Sequence, residues 1–233
     1  MTMIDIHIYA IHEREEMVQA LSTKLGLDES CIHYDDREGG GDTLYTAEKA
    51  WFADMPERLT HRVVLPDDAD VCDGFKEICE KIVAAHPDDI FCLYPMNLPA
   101  KYSGVFRRIT TPYVIAKGVS GVGIIMPVKY IKECFTWIEE NEPSSKREDD
   151  YSMWCWAQQK GVRVLTTIPS IVQHLGDVSV ANPDAPIRRT TYFKEKPTAD
   201  WENTKVIRYT EREWFFSNKG VPNYSGGAID YVD

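Results

Sequence analysis

Residues 4 to 94 alternate short apolar runs of strand character with helical stretches, and this alternation limits the possible folds more than any other feature of the chain. Ile4 to Ile11 alternates apolar residues with Asp5, His7 and Tyr9, as a strand does. Glu13 to Leu25 then sets Met17, Leu21 and Leu25 four apart on one helical face, with Gly26 as a stop. "CIHYDD" predicts a second strand, "REGGGDT" a loop and "LYTAEKAWFADM" a helix. "HRVVL" is the third strand. The helix after it is expected to start at Asp73 as N-cap and to bury Phe75, Ile78, Cys79, Ile82 and Val83, and "DIFCLY" makes a fourth strand. Repeated βα units of this kind predict an α/β fold with a mainly parallel sheet and right-handed crossovers, in which ligands gather at the carboxyl ends of the strands.

The second half has α+β character. "TPYVIAKGVSGVGIIMP" predicts two strands around a glycine-rich turn, followed by a helix from Val128 to Glu140, a helix in "REDDYSMWCWAQQKG" and the strand "VRVLTTI". Beyond Asp177 the chain is rich in proline and aromatics with little periodicity. We therefore expect one domain over 1–177 and an irregular extension over 178–233 packing on it. A chain of 233 residues, 43% of them hydrophobic, can bury such a core.

The third strand ends in "PDDAD". Asp73 is explained as a helix cap, but Asp67, Asp68 and Asp70 place three like charges at the mouth of a buried strand, where they repel unless a cation or a donor-rich ligand offsets them. Carboxylate oxygens suit Mg²⁺ or Mn²⁺, hard ions that keep waters and take substrate phosphates as further ligands. The spacing fails as a calcium EF-hand loop, because counting from Asp68 the glycine position holds Asp73. Two later segments join these acids. "REDDY" puts adjacent carboxylates at the start of a helix, and "PSIVQHLGD" sets His174 after a strand.

With these segments in this order, the sequence resembles the GT-A-fold glycosyltransferases. "HRVVLPDDADVCDGF" is similar to the acidic segment of their N-acetylglucosaminyltransferase-like branch, with Pro66 standing where that pattern has its first acid. The resemblance implies a Rossmann-like GT-A domain with Asp67 contacting the nucleotide, Asp68 binding the metal and Asp70 taking part through water. "REDDY" resembles the motif that carries the general base of inverting members, which makes Asp149 the first choice and Asp150 the second. "PSIVQHLG" resembles the segment whose histidine lies near metal and diphosphate, here His174. Donor contacts are implied at Ile11, His12 and Arg14 and at Asp35, Asp36 and Arg37, where an acid accepts from a uracil N–H and an arginine pairs with phosphate. Short bacteriophage-encoded glycosyltransferases, which pair a "DDR" loop with a "DDA" motif, are similar in the same way. The implied donor is a UDP-sugar and the implied cofactor Mn²⁺ or Mg²⁺.

Charge distribution bears on the acceptor. The net charge is -11, which argues against a protein that binds nucleic acid with its whole surface, yet no acid occurs between Asp89 and Glu133 while Lys101, Arg107, Arg108, Lys117, Lys129 and Lys132 do. A local basic face predicts an anionic acceptor: DNA carrying hydroxymethylated bases, or alternatively a glycan or lipid-linked acceptor. Two other classes compete. Asp68-Ala69-Asp70-Val71 fits the nucleophile motif of haloacid-dehalogenase-type phosphatases, although two βα units precede it here, and an acidic non-enzymatic binding protein is the third reading. The six cysteines form no CxxC pair, and no apolar run reaches the roughly 20 residues of a membrane span, so a reduced, cytoplasmic protein is expected. Sequence leaves the oligomeric state open.

Overall fold

The computed structural model describes residues 2–37, 43–95, 111–115, 119–141, 149–176, 189–190, 192–210 and 228–232. In chain order the elements are β1 (Ile4–Ala10), α1 (Glu15–Leu25), β2 (Ile32–Tyr34), α2 (Thr43–Trp51), β3 (His61–Pro66), β4 (Ala69–Val71), α3 (Phe75–Ala85), β5 (Ile90–Cys92) and β6 (Tyr113–Ile115). They continue with β7 (Ile124–Pro127), α4 (Val128–Asn141), α5 (Asp149–Lys160), β8 (Val164–Thr167), β9 (Val172–His174), β10 (Val206–Thr210) and β11 (Ala228–Val232). Among the described residues nine strands form one sheet in the order β11-β10-β6-β8-β5-β7-β3-β1-β2, and β4 pairs with β9 in a separate two-stranded ladder. β1 is parallel to both β2 and β3, and β5 to β8, whereas β7 runs antiparallel between β3 and β5. The fold class is α/β, a Rossmann-like mixed sheet flanked by helices.

The alternation within each strand divides the core. On β3, Val63 and Leu65 join Ile4, Ile6, Ile8, Val18 and Phe75 on one face, while Val64 joins Ala47, Trp51, Ile131, Phe135 and Trp156 on the other. Helices α1 and α3 cover the first face and α2, α4 and α5 the second. Strands covered on both sides carry almost continuous apolar residues, and all six residues of β3 are buried.

Three local expectations shift. The buried positions of α1 are Val18, Leu21 and Ser22, with Met17 and Leu25 half-buried at the margin. Asp73 is not the cap of α3. Its backbone N–H is taken by Glu195 O at 2.7 Å, and Gly74, at φ 66, occupies the N-cap in the left-handed region that suits glycine. The two strands of the glycine-rich segment do not pair with each other: β6 lies beside β8 and β10, and β7 beside β3 and β5. Among the described residues no helix is long and apolar enough to cross a membrane. All six cysteines are free thiols.

Candidate active site

Strand order places the crevice. From β1 the chain steps to β2 on one side and then returns to β3 on the other, so the carboxyl ends of β1 and β3 border a topological switch point. Ile11 and the short 3-10 turn His12–Arg14 follow β1, and Asp67 and Asp68 follow β3. Asp67 accepts from Ile11 N–H at 2.9 Å and from Arg14 Nη1 at 2.8 Å. The same Nη1 donates to Asp68 Oδ2 at 2.5 Å. Both carboxylates are 4% exposed.

The β4–β9 ladder brings the third segment in. Ala69 faces His174 in its register, Leu175 N–H donates to Asp68 O at 2.7 Å, and His174 Nε2 lies 3.2 Å from Asp68 Oδ2. Backbone approach here is close, and a Cβ on Gly176 would sit 2.4 Å from that same oxygen. Burial raises the Asp67 carboxyl above its ordinary range despite its bonds to Ile11 and Arg14. Burial pushes Asp68 the same way, but His174 and Arg14 outweigh it and hold this carboxyl below the ordinary range. For Arg14, burial opposes the charge, and Asp68 and Asp67 more than restore it.

Asp70 stands apart. From β4 it accepts from Lys24 Nζ of α1 at 2.7 Å and from Val71 N–H at 2.8 Å. Among the described residues no three His, Cys, Asp or Glu side chains cluster as a ready-made metal site. The donor set of Asp68 and His174 nonetheless fits a divalent ion: it pairs a carboxylate with an imidazole whose Nε2 is turned toward that carboxylate.

At the end of β2, the Asp35 carboxylate is clamped by Arg37, Nε at 3.0 Å and Nη2 at 2.9 Å, and the Arg37 guanidinium lies 3.9 Å from the centre of the Tyr45 ring. Asp36 pairs with Lys49 at 2.9 Å. His12 stacks on Tyr34 with ring centres 4.5 Å apart and planes 2° apart, forming a flat ledge across the ends of β1 and β2. Tyr34 had no distinguishing sequence signal beyond its place at a strand end. Asp150, at the start of α5, accepts from Gly121 N–H at 3.0 Å, and Gly121 O accepts from Tyr9 OH at 3.2 Å. The glycine-rich turn is thus tied to both α5 and β1. The Asp149 side chain, Gly39 to Gly41, Lys101, Arg107, Arg108 and Lys117 lie outside the described residues.

No protein-family model and no curated protein matches the chain. Among solved structures it is similar to a Drosophila β-1,4-galactosyltransferase 7 mutant in complex with manganese, UDP-Gal and xylobiose, with TM-score 0.41 and 9% identity, covering 97% of this chain and 94% of that one. It is also similar to a glycosyltransferase involved in glycosylation of the major capsid of PBCV-1, with TM-score 0.38 and 10% identity, covering 75% and 94%. A third is apo GlyE of Streptococcus pneumoniae, with TM-score 0.37 and 7% identity over 70% of this chain; the match spans 44% of GlyE. Likeness at this level says nothing about chemistry.

Proposed function

We propose that this chain is a glycosyltransferase that moves a sugar from a nucleotide sugar, UDP-linked in the first instance, to a hydroxyl acceptor with inversion. One observation carries the reading: Ile11, Arg14, Asp67, Asp68, His174 and Gly176, drawn from three distant segments, converge at the switch point of the sheet. In this reading the His12–Tyr34 ledge receives the base. Asp149 or Asp150 accepts the acceptor's proton as its oxygen bonds to the anomeric carbon, and the bond from that carbon to the diphosphate breaks, the electron pair leaving with the nucleotide. Mn²⁺ or Mg²⁺, held by Asp68 and His174, would supply positive charge for the departing diphosphate. Asp150, tied to Gly121, also orders the turn beside the acceptor.

For the acceptor, the acid-free stretch favours an anionic partner, and DNA with hydroxymethylated bases is the first to test. Thermal melts with UDP, GDP, CDP and ADP, each with and without Mn²⁺, should show stabilisation by UDP with Mn²⁺, since a ligand that binds only the native state raises its stability. If no nucleotide shifts the melt, the reading falls. Incubation with UDP-sugars and DNA containing 5-hydroxymethylcytosine or 5-hydroxymethyluracil should then yield a glycosylated nucleoside by mass spectrometry; transfer only to a glycan would remove DNA as the acceptor.

A further inference from the structure

Arg14 takes up the carboxylates that a metal ion would need. Its side chain is 17% exposed, and one nitrogen, Nη1, bonds both Asp67 and Asp68. Asp68 Oδ2 is already crowded: it takes Arg14 and His174 and lies against Gly176. A divalent cation arriving at Asp68 therefore meets a guanidinium on its oxygen and the repulsion of that positive charge. A diphosphate offers the guanidinium another partner, because its oxygens accept the paired N–H groups as a carboxylate does. The turn His12–Arg14 that carries the residue is a single turn, so the long side chain can change partner without a change in the sheet.

Building on the nucleotide-sugar reading, we infer that Arg14 is a resident counter-ion that makes metal binding conditional on the nucleotide. Without a donor it holds Asp67 and Asp68. When a nucleoside diphosphate binds, Arg14 moves to the phosphates and frees Asp68 for the ion. The two ligands are thus coupled through one side chain, and the coupling is reciprocal.

The test titrates the whole protein with Mn²⁺ and follows free Mn²⁺ by electron paramagnetic resonance, correcting for the ion held by UDP in solution. In wild type, UDP should tighten Mn²⁺ binding about tenfold or more. Arg14→Gln should bind Mn²⁺ about tenfold more tightly than wild type without nucleotide and gain less from UDP than wild type does, the remaining gain being the diphosphate's own ligation of the ion. Arg14→Lys, which keeps the charge, should stay close to wild type. Arg14→Gln binding Mn²⁺ no better than wild type would overturn the inference. So would UDP binding that leaves the wild-type Mn²⁺ affinity unchanged, a result that spares the donor reading and needs no variant. Tighter Mn²⁺ binding by Arg14→Gln in a protein that binds no nucleoside diphosphate would instead remove the donor reading and uphold the competition at Asp68.

Discussion

Gly176 shows how much one missing side chain matters. A methyl group there would come 2.4 Å from Asp68 Oδ2 and 3.2 Å from His174 Cε1, so Gly176→Ala has to push the carboxylate or the ring aside. A displacement of about 1 Å in a reacting site costs on the order of 100-fold in turnover, and that is the loss expected, with the melting temperature little changed. Steady-state kinetics beside a thermal melt would check it. Asp89 lies far from this site and governs acid stability. Burial would raise its carboxyl, but His86, at 3.4 Å, and Arg163, at 2.8 Å, outweigh burial and hold it below the ordinary range. Its contribution is therefore present above the unfolded carboxylate range and is lost as pH falls through the folded value. Asp89→Asn should cost about 1–3 kcal/mol at pH 7 and flatten the decline in stability below pH 5, as read by denaturant titrations across pH.

At the level of elements, α2 stops earlier than its sequence implies. The helical pattern runs on to Met55, but the helix ends at Trp51, and Arg62 of β3, fully buried, reaches across to its last turn. Arg62 donates to the carbonyls of Ala50, Trp51, Ala53 and Asp54 and pairs with Asp5 at 2.5 Å. Ala50 and Trp51 are among the acceptors that a helix C-terminus leaves without partners, and Ala53 and Asp54 belong to the turn that follows. Arg62→Met would strand them and leave Asp5 without its counter-ion, so a loss of about 3–5 kcal/mol in denaturant unfolding is expected. The start of α5 carries the other prediction at this scale. Asn at position 150 keeps an amide oxygen for Gly121 N–H, so Asp150→Asn should stay near wild type. Asp149→Asn should lose about two to four orders of magnitude in turnover with donor binding unchanged. The reverse pattern in single-turnover kinetics would make Asp150 the base.

Across the whole molecule, residues 192–207 are built into the domain. Trp201 is buried in the core, Tyr113 OH donates to Trp201 O at 2.5 Å, His86 Nε2 lies 3.1 Å from Asn203 O, and Ile207 of β10 pairs with Val114 of β6. Trp201→Ala should therefore cost about 3–5 kcal/mol, as core aromatic truncations do, and not the few tenths expected of a loose wrapping. Unfolding monitored by far-UV circular dichroism would separate these outcomes. The prolines and aromatics beyond Asp177 hide β10 in the sequence, although VIRYT is itself rich in β-branched and aromatic residues.

What the sequence by itself determined was local. Periodicity selected the buried stripe of α3, and Phe75, Ile78, Cys79, Ile82 and Val83 are all buried as it required. Residue chemistry marked Asp67 and Asp68, because adjacent acids at the end of a buried strand need an offset wherever the strand lies, whereas His174 stood out only through the resemblance of its segment. Tertiary structure alone decided partners. Arg14 meets Asp67 across 53 positions of chain, Lys24 draws Asp70 away from its neighbours, and β7 is inserted in reverse between β3 and β5. The reason is physical: a pattern of apolar and polar residues states which face of an element must be covered, whereas the element that covers it, and the charge brought to each acid, depend on how all the faces pack at once.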